Sequence, residues 1–421
     1  MEIIQRPKGT NDIYDDVGRN VLYIRDLVEK IAKNYNYNYF RTPTFERTEV
    51  FKRGVGDTTD IVQKETYDFV DRGSRNMTLR PEGTAAIVRS IIENKLYVNG
   101  TNKVWYFMPM FRYERPQSGR LREHFQFGFE HFGSTSPSSD VEIISIAVKI
   151  LKSLGLKGIK VNVNSLGDVE SRNNYREALK EHFRPHLDEL CSDCKERFEK
   201  NPLRIIDCKV DSDKEVIKNA PKIIDYLNNE SKEYFNEVQH YLDLLNIEYV
   251  VNPNIVRGLD YYTYTVFEIT AEIKDFGAQN VLCGGGRYNN LVSSLGGPEY
   301  PSVGFGMGIE RLMNALSSEG IDFGKKEIDA FICYISPNEK GYAFQLLDYL
   351  RNNELNCDMC FTDRNLKGQF KECDNNNAKY VIIIGEEETK TGIITVKNND
   401  TKEEFKIKKS ELVEFLGRKY E

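Results

Sequence analysis

A pair of strands joined by a polar loop, between residues 103 and 133, restricts the fold more than any other segment of the chain. The second strand alternates three phenylalanines with polar or small residues, in the order Phe125, Gln126, Phe127, Gly128, Phe129, Glu130. Because successive side chains of a strand point to opposite faces, one face is aromatic and the other polar. Arg112 and Glu114 share a face at the end of the first strand. This pattern favours an antiparallel sheet that carries a functional pocket over a merely solvated sheet face.

The flanking segments extend this sheet into a large domain. Residues 21–35 place apolar side chains at intervals of three and four, which predicts an amphipathic helix. The stretch YFRTPTFERTEVF that follows is predicted to be extended. Because Pro43 cannot donate a ladder hydrogen bond, we expect this strand at a sheet edge or at a boundary with another subunit. Residues 256–316 return to strands and end in a helix after the glycine-rich GFGMG.

Two segments depart from this pattern. Residues 170–250 are helix-rich and highly charged, with an extended NPLRIIDCKV in the middle, which is typical of an insertion. After Lys325–Lys326 strands alternate with helices, which indicates a small, separate α/β domain. We therefore predict an α+β domain on an antiparallel sheet at residues 1–325, with the helical insertion, and a C-terminal α/β domain at residues 326–421.

Composition limits the classes of function. The net charge of −7 argues weakly against nucleic-acid binding, because basic residues still cluster locally, at 112–122 and 364–379. The sequence contains no run of about 18 apolar residues and no apolar stretch of a signal peptide at its N-terminus. The eight cysteines follow no regular disulfide spacing. We expect a cytoplasmic protein that does not cross a membrane.

Three arginines point to an anionic ligand. Arg112, Arg257 and Arg311 lie in strand-like or glycine-flanked segments, where a guanidinium is a poor core residue unless it meets an anion. Arg311 also falls in the first turn of a predicted helix, whose free N–H groups favour negative charge. Three such positions suggest a polyphosphate. For Arg311 by itself, a capping or salt-bridge role explains the pattern equally well.

The glycine-rich segments do not identify the nucleotide. Gly284-Gly285-Gly286 and the GFGMG at 304–308 match neither a phosphate-binding P-loop nor a dinucleotide fingerprint. Tight sheet packing explains them as well as close approach to a ligand does. Any nucleotide is therefore bound by another device.

Three cysteines of the insertion allow two interpretations. Cys191, Cys194 and Cys208 could ligate a structural zinc, with His182 or His186 as the fourth ligand. A single CxxC is a weak signal, however, and helical cysteines that are buried and reduced are the interpretation we favour. The sequence therefore assigns no metal site.

Six ordered segments resemble those of one enzyme family. FRYERPQSGRLREHFQFGFE and GFGMGIERL are similar to the second and third signature motifs of class II aminoacyl-tRNA synthetases, and RTPTFERTEVF to their dimer-forming first motif. RPEGT at 80–84, VRGLDYYTYTVFE at 256–268 and GGGRY at 284–288 resemble segments peculiar to histidyl-tRNA synthetases. The C-terminal domain resembles the anticodon-binding domain of these enzymes, although FTDR stands where many members carry a glycine-rich turn.

The resemblance implies a reaction and a set of site residues. A member of this family activates L-histidine with ATP and Mg²⁺ to histidyl-adenylate and pyrophosphate, transfers the histidine to the 3'-terminal adenosine of tRNA(His), and acts as a homodimer. By the same resemblance, histidine is bound by Glu82, Gly83, Thr84, Gln126, Glu130, Tyr261 and Tyr262, ATP by Arg112, Glu114 and Arg311, and Arg257 is catalytic. For Glu114 a loop salt bridge is an equally good interpretation. His124, which precedes Phe125-Gln126 where members more often have Phe, His, Gln, is assigned no role.

Two rival functions remain at this point. A regulatory paralogue of the synthetase, which serves histidine biosynthesis, tends to lose the arginine and tyrosines of VRGLDYY and the anticodon-binding domain, and this chain has both. A non-catalytic RNA-binding sensor module occurs fused to stress kinases, and the sequence contains no kinase segment.

Overall fold

The computed structural model describes residues 3–56, 59, 61–116, 119–208, 210–255, 257, 259–271, 280–362 and 364–417. Some residues of the sequence motifs, namely Gln117, Ser118, Val256, Gly258 and Asp363, lie outside the described residues. The chain divides into two compact units, Met1–Ile13 with Asn20–Asp322, and Tyr14–Arg19 with Phe323–Glu421. No helix in the described ranges has both the length and the apolar character that crossing a membrane requires.

The first unit is built on a large sheet. Its strands are β1 (Asn38–Tyr39), β2 (Phe45–Arg47), β3 (Tyr67–Val70), β4 (Asn76–Leu79), β5 (Asn102–Phe111), β6 (Glu123–Phe132), β7 (Lys160–Ser165), β8 (Tyr249–Val251), β9 (Thr263–Thr270), β10 (Val281–Arg287) and β11 (Ser302–Gly308). Eight of them form one sheet in the order β1-β5-β6-β11-β10-β9-β7-β8. All its neighbours are antiparallel except the outermost pairs, β1 with β5 and β7 with β8. The predicted antiparallel sheet is confirmed, and β2-β4-β3 form a second, smaller one.

Helices cover this sheet and fill the insertion. Up to residue 322 they are α1 (Asp15–Asn34), α2 (Thr48–Val55), α3 (Thr84–Glu93), α4 (Pro137–Ser153), α5 (Val169–Phe183), α6 (Ser192–Lys200), α7 (Leu203–Ile206), α8 (Glu215–Lys218), α9 (Asn229–Leu244), α10 (Leu291–Ser294) and α11 (Ile309–Ser318). The apolar stripe predicted for the first helix is buried at Val21, Ile24, Val28 and Ile31 of α1. α4, which starts with Pro137 after the cap Ser136, packs across β6, β9, β10 and β11.

The hairpin of β5 and β6 has the faces that the alternation predicts. Tyr106 stands opposite Gly128 and Met108 opposite Gln126 in its antiparallel register. Phe127 and Phe129 are completely buried in the core. The core therefore fixes the register of β6, since a slip of one residue would turn the phenylalanines to the polar face.

The extended stretch predicted around Pro43 is only partly correct. β1 ends at Tyr39 and β2 begins at Phe45, so Pro43 lies between two strands, where its carbonyl accepts a hydrogen bond from Arg80. From Thr48 the chain is helical, not extended, because Val50, Phe51, Gly54 and Val55 of α2 share one buried face. β1 lies at the edge of the large sheet, but Pro43 is not part of it, so the edge position predicted from the proline is not confirmed.

The insertion is helical, as predicted, but its middle is not extended. Residues 203–206 form one helical turn, α7, in which Leu203 and Ile205 are buried. A single turn is too short to show a period of 3.6 residues, which explains the error. The helices enclose a core of their own that includes Tyr175, Leu179, Phe198 and Ile205.

The second unit contains a five-stranded sheet. Its strands are β12 (Ile328–Tyr334), β13 (Cys357–Met359), β14 (Ala378–Ile384), β15 (Ile393–Asn398) and β16 (Glu404–Lys408), and its helices are α12 (Lys340–Arg351), α13 (Leu366–Asn375), α14 (Glu386–Thr391) and α15 (Leu412–Gly417). The order is β13-β12-β14-β15-β16, with β12 parallel to β13 and β14. The predicted alternation of strands and helices is confirmed for β12 to β14, whereas the antiparallel β15 and β16 were not foreseen.

Candidate active site

The polar face of the large sheet opens into a cavity of about 560 Å³. This volume lies within the usual range for a small-molecule site. β6, β9, β10 and β11 form its floor, and the first turns of α3 and α11 reach its wall. The predicted site residues that line it are Glu82, Thr84, Arg112, Glu114, Gln126, Arg257, Tyr261, Tyr262 and Arg311. Gly83 and Glu130 do not line it.

Glu82 caps the helix that borders one end of the cavity. Its carboxylate oxygens accept hydrogen bonds of 2.7 Å from the backbone N–H groups of Thr84 and Ala85, in the first turn of α3. Burial raises the pKa of Glu82, whereas these N–H groups and Arg112 oppose the rise. Gly83 allows the backbone to lie close to Tyr106, because a Cβ atom at residue 83 would be 2.7 Å from the Tyr106 ring. The capping fixes both Glu82 and Thr84 at the cavity edge.

Glu130 lies directly behind the cavity wall. Thr84 Oγ1 donates to Glu130 Oε1 at 2.7 Å, and the Tyr288 hydroxyl donates to Oε2. Burial raises the pKa of Glu130 to about 8. A buried carboxyl group is thus held between two hydroxyl groups, both of which line the cavity.

The glycines of β11 leave room for polar side chains from neighbouring strands. A Cβ at Gly304 would lie 1.7 Å from Glu130 Oε2, and one at Gly306 would lie 1.7 Å from Gln126 Nε2. Gln126 in turn donates to the Tyr106 hydroxyl at 3.2 Å. The glycines of the GFGMG segment therefore allow Gln126 and Glu130 to lie against the sheet.

Tyrosines close the same end of the cavity. The rings of Tyr261 and Tyr262 lie 4.7 Å apart, and Tyr261 meets Tyr288 edge-on at 5.5 Å. Arg172 of the inserted helix α5 donates to the Tyr262 carbonyl at 2.8 Å. The aromatic rings, Gln126, Thr84 and the carboxyl groups thus form one polar and aromatic subsite.

Arginines line the opposite end. Arg112 donates through Nε to the Pro81 carbonyl at 2.8 Å, and Arg311 through Nη1 to the Val281 carbonyl at 3.1 Å. Arg120 also lines the wall and donates to Glu114 at 3.3 Å, while Arg112 Nη1 lies 3.8 Å from the other Glu114 oxygen. Burial, together with Arg120, lowers the pKa of Arg311. Three guanidinium groups outnumber the two carboxyl groups of Glu114 and Glu310 at this end, and the excess positive charge suits a polyanion.

Arg257 lies between the two ends. Its Nη1 donates to Glu268 of β9, and its guanidinium lies 5.8 Å from the Tyr262 ring centre. Burial opposes its charge, but Tyr262 and Glu268 hold the pKa of Arg257 above its usual value. Its buried Nε has no hydrogen-bond partner within the described part of the chain. The guanidinium therefore stays charged and keeps one donor free.

The position of Arg257 depends on backbone features of two segments. A Cβ at Gly284 would lie 2.2 Å from Arg257 Nη2, so the glycine of β10 lets the guanidinium lie against the sheet. Arg257 itself has a φ of 21°, which is uncommon for a residue with a side chain and costs of order 1–3 kcal/mol. Residual strain of this kind is often found at functional positions.

Besides Arg120 and His124, the cavity wall contains four charged or hydroxyl-bearing residues that were not predicted from the sequence: Asp207, Glu268, Tyr288 and Glu310. Glu310 accepts a hydrogen bond from the Phe125 backbone at 2.9 Å, and burial raises its pKa to about 7. Asp207 comes from the insertion. Tyr288, Glu310 and Glu268 lie within the GGGRY, GFGMGIERL and VRGLDYYTYTVFE motifs, so these three carried a signal, whereas no local pattern marks Asp207.

His124, for which the sequence predicts no role, also lines the cavity. Burial and the charges of Arg112 and Arg311 lower its pKa to about 3. The imidazole is therefore neutral at pH 7 and adds no charge to the arginine-rich end.

Arg287 of the GGGRY motif stabilises the site through a buried ion pair outside the cavity. It is completely buried and donates to both oxygens of Asp140, which is buried in α4. Because the ion pair joins α4 to β10, it holds the strand that carries Gly284 and directly precedes Tyr288. Removing one partner of such a buried pair costs about 3–5 kcal/mol.

A fourth polar side chain lies beside the three cysteines of the insertion, and it is an aspartate, not a histidine. Cys191, Cys194, Cys208 and Asp211 have ligand atoms within 4.8 Å of one another. His182 instead contacts the Val216 carbonyl, and His186 faces Glu189. The histidines proposed as a fourth ligand are thus engaged elsewhere.

Comparison with known proteins agrees with this architecture. A family model described as histidyl-tRNA synthetase matches residues 9–312, and one described as anticodon binding domain matches residues 329–419. The chain is 49% identical to a histidine--tRNA ligase of Oceanobacillus iheyensis, over 99% of this chain and 98% of that protein. It is 50% identical to one of Anoxybacillus flavithermus, over 96% of each. The crystal structure of apo S. aureus histidyl-tRNA synthetase superimposes with a TM-score of 0.84 at 41% identity, covering 99% of this chain and all of that chain.

Proposed function

This chain belongs to the histidyl-tRNA synthetase family, and on that premise we propose how it performs the ligase reaction at the cavity described above. The enzyme first joins L-histidine to ATP, which yields histidyl-adenylate and pyrophosphate. It then transfers the histidine to the 3'-terminal adenosine of tRNA(His). The observation that carries this assignment is the single cavity in which arginines face a polar, aromatic pocket.

The polar and aromatic end is the histidine subsite. An α-ammonium group needs carboxylate and neutral acceptors, and an imidazole with two distinct nitrogens needs a polar partner at each. Glu82, Thr84 and Gln126 supply such groups at the wall, and Glu130 supplies one just behind it. Tyr261 and Tyr262 close the pocket. An apolar amino acid would leave these buried groups unpaired, so the site rejects it without an editing step.

The arginine-rich end is the ATP subsite. Arg112 and Arg311 contact the phosphates, and Arg257, between the two ends, contacts the reacting carboxylate and α-phosphate. The histidine carboxylate is already ionised at pH 7, so activation needs no general base. The arginines hold the carboxylate in line with phosphorus and stabilise the charge that develops there.

Magnesium accompanies the nucleotide. Glu114 and Glu310 supply carboxylate oxygens of the hard type that Mg²⁺ prefers, and both line the arginine-rich end. When bound, the ion neutralises phosphate charge.

We infer further that the C-terminal unit binds the anticodon region of tRNA(His), that the enzyme acts as a homodimer, and that it works in the cytoplasm. The anticodon-binding match at 329–419 supports the first inference. The small sheet supports the second, because Phe45, Phe69 and Val70 are between 41% and 64% exposed. All eight cysteines are free, which is consistent with a reducing compartment.

Histidine-dependent exchange of labelled pyrophosphate into ATP tests the proposal. The enzyme catalyses this exchange without tRNA and charges tRNA(His) when it is added. A regulatory paralogue or an RNA-binding sensor would do neither. Binding of tRNA without exchange would therefore overturn the catalytic assignment.

A further inference from the structure

We infer that Cys191, Cys194, Cys208 and Asp211 bind one zinc ion, which holds the inserted helices together. The ligand atoms of these residues lie within 4.8 Å of one another. Three of the four side chains are buried and Cys191 is half-buried. The site lies apart from the cavity proposed for histidine and ATP.

The distances fit a tetrahedral ion. Cys191 Sγ lies 3.8 Å from Cys208 Sγ, and Asp211 Oδ2 lies 3.9 Å from Cys208 Sγ. Two sulfurs at Zn–S bonds of about 2.3 Å in a tetrahedron are separated by about 3.8 Å. A disulfide requires about 2.0 Å, so the pair is not bonded.

The chain presents the ligands as two matching pairs. Cys191 and Cys194 are three positions apart at the start of α6, and Cys208 and Asp211 are three positions apart after α7. The Cys191 N–H donates to Asp211 Oδ2 at 2.9 Å, which joins the two pairs directly.

The chemistry of the donors selects zinc. Three thiolates with one carboxylate suit a borderline-soft ion and not the hard ions Mg²⁺ or Ca²⁺. Asp211 is completely buried, and Lys214 Nζ lies 2.8 Å from its Oδ1. The lysine offsets part of the negative charge of the liganded site.

A metal ion bound by these four residues would stabilise the insertion. α6 has nine residues, and α7 and α8 have four each, so little backbone hydrogen bonding holds this segment. Small helical units with short elements are commonly stabilised by a metal. The ion would join the start of α6 to the loop that follows α7.

Zinc would also fix the position of the segment 201–207, which contacts the loop that carries Arg257. Asn201 donates to Asp260 at 3.0 Å, Arg204 contacts the Arg257 carbonyl at 3.5 Å, and Asp207 lines the cavity. This segment runs between the two ligand pairs. We expect loss of the metal to slow activation; this consequence, unlike metal binding itself, rests on the proposed function.

Metal analysis of the full-length chain, purified with reductant, tests the inference. We expect about one zinc ion per chain that resists a mild chelator. After stripping, titration with Co²⁺ should produce thiolate-to-cobalt charge-transfer absorption. Cys208→Ser and Asp211→Asn should each weaken zinc binding at least about tenfold in chelator competition. Cys360→Ser is the control, because this buried cysteine of the second unit contacts the Thr362 carbonyl, which a serine can also reach.

Three results would overturn the zinc site. The first is a folded, reduced wild-type chain that binds neither Zn²⁺ nor Co²⁺ through thiolates. The second is an adventitious ion only, bound equally well by wild type and variants. The third is a disulfide between Cys191 and Cys208 in the chain isolated without reductant. Circular dichroism would reveal whether Cys208→Ser folds. If it does not, the wild-type titration and Asp211→Asn still test whether the four residues bind zinc. Because these readouts measure metal, failed pyrophosphate exchange would not affect them.

Discussion

At the scale of single residues, the two ends of the cavity differ in charge, and Arg257 joins them. Its guanidinium is anchored by Glu268 and faces Tyr262, and its buried Nε meets no acceptor among the residues that the structure describes. A donor held ready in this way stabilises charge that appears only in the transition state, with no cost of reorganisation.

Arg257→Ala should therefore lower the turnover number of pyrophosphate exchange far more than it weakens ATP binding. We expect a loss on the order of 100- to 1,000-fold in kcat, by analogy with removal of one oxyanion donor, and a much smaller change in the KM for ATP. Steady-state exchange kinetics measure both. Arg351→Ala, which removes an arginine paired with Asp358 in the second unit, is the control. Equal losses in kcat and ATP affinity would refute the role given to Arg257.

Glu130 makes stability depend on pH. Its pKa is raised to about 8, from an ordinary 4.5. Between these pH values the folded protein keeps a proton on Glu130 that the unfolded chain has already released. Its contribution is full below about pH 4.5 and is lost as the pH rises through 8, on the order of a few kcal/mol.

Glu130→Gln should flatten the pH dependence of the free energy of unfolding between pH 5 and 8. Glutamine keeps an acceptor for Thr84 but cannot titrate. Denaturant melts at several pH values measure the effect, with the exposed Glu354→Gln as control. A variant curve as steep as that of the wild type would show that Glu130 is not the group responsible.

At the scale of elements, the glycines of β10 and β11 set how closely neighbouring strands can place polar side chains. Gly284 accommodates Arg257, Gly304 accommodates Glu130 and Gly306 accommodates Gln126. A methyl group at any of these positions would displace a residue of the site and leave the sheet topology intact.

Gly304→Ala should abolish histidine-dependent exchange, because the new Cβ would lie 1.7 Å from Glu130 Oε2. We expect destabilisation of about 1–3 kcal/mol as well, the usual cost of overpacking. Gly341→Ala is the matched control, since nothing lies within 4 Å of a Cβ there and its helical position favours alanine. Exchange assays and thermal melts distinguish the two effects. Normal exchange by a folded Gly304→Ala protein would contradict the proposed histidine subsite.

The same elements show which features of the site can be predicted from the sequence and which cannot. The alternation in β6 predicts its two faces because the period of a strand is local. The pairing of Gly304 with Glu130 is not predictable in this way, since it depends on the register of strands far apart in the chain. Asp207 was missed for the same reason, and α7 because one helical turn carries too few residues to show a period.

At the scale of the whole molecule, we propose that the two matched regions separate chemistry from tRNA recognition. The basic residues of the second unit include Arg364, Lys367 and Lys371, which are exposed at or near α13. Exposed lysines close to an RNA backbone contribute affinity through release of counterions.

Lys367→Glu with Lys371→Glu should raise the KM for tRNA(His) about tenfold or more and leave pyrophosphate exchange unchanged. The salt dependence of tRNA binding should become shallower, because fewer phosphates are neutralised. Lys406→Glu with Lys408→Glu on β16 is a control of equal charge change. Charging kinetics at several salt concentrations provide the measurement. An unaltered KM would place the tRNA on another surface.

The central claim is that histidine and a nucleotide share one cavity, with Arg257 between them. A crystal structure of the enzyme with a non-hydrolysable analogue of histidyl-adenylate tests it most directly. We expect the imidazole beside Glu130 and Tyr261, the phosphate substitute at Arg257, and the adenosine within the arginine-rich ATP subsite. An analogue bound elsewhere, or one whose histidine lies at the arginine-rich end, would contradict the account.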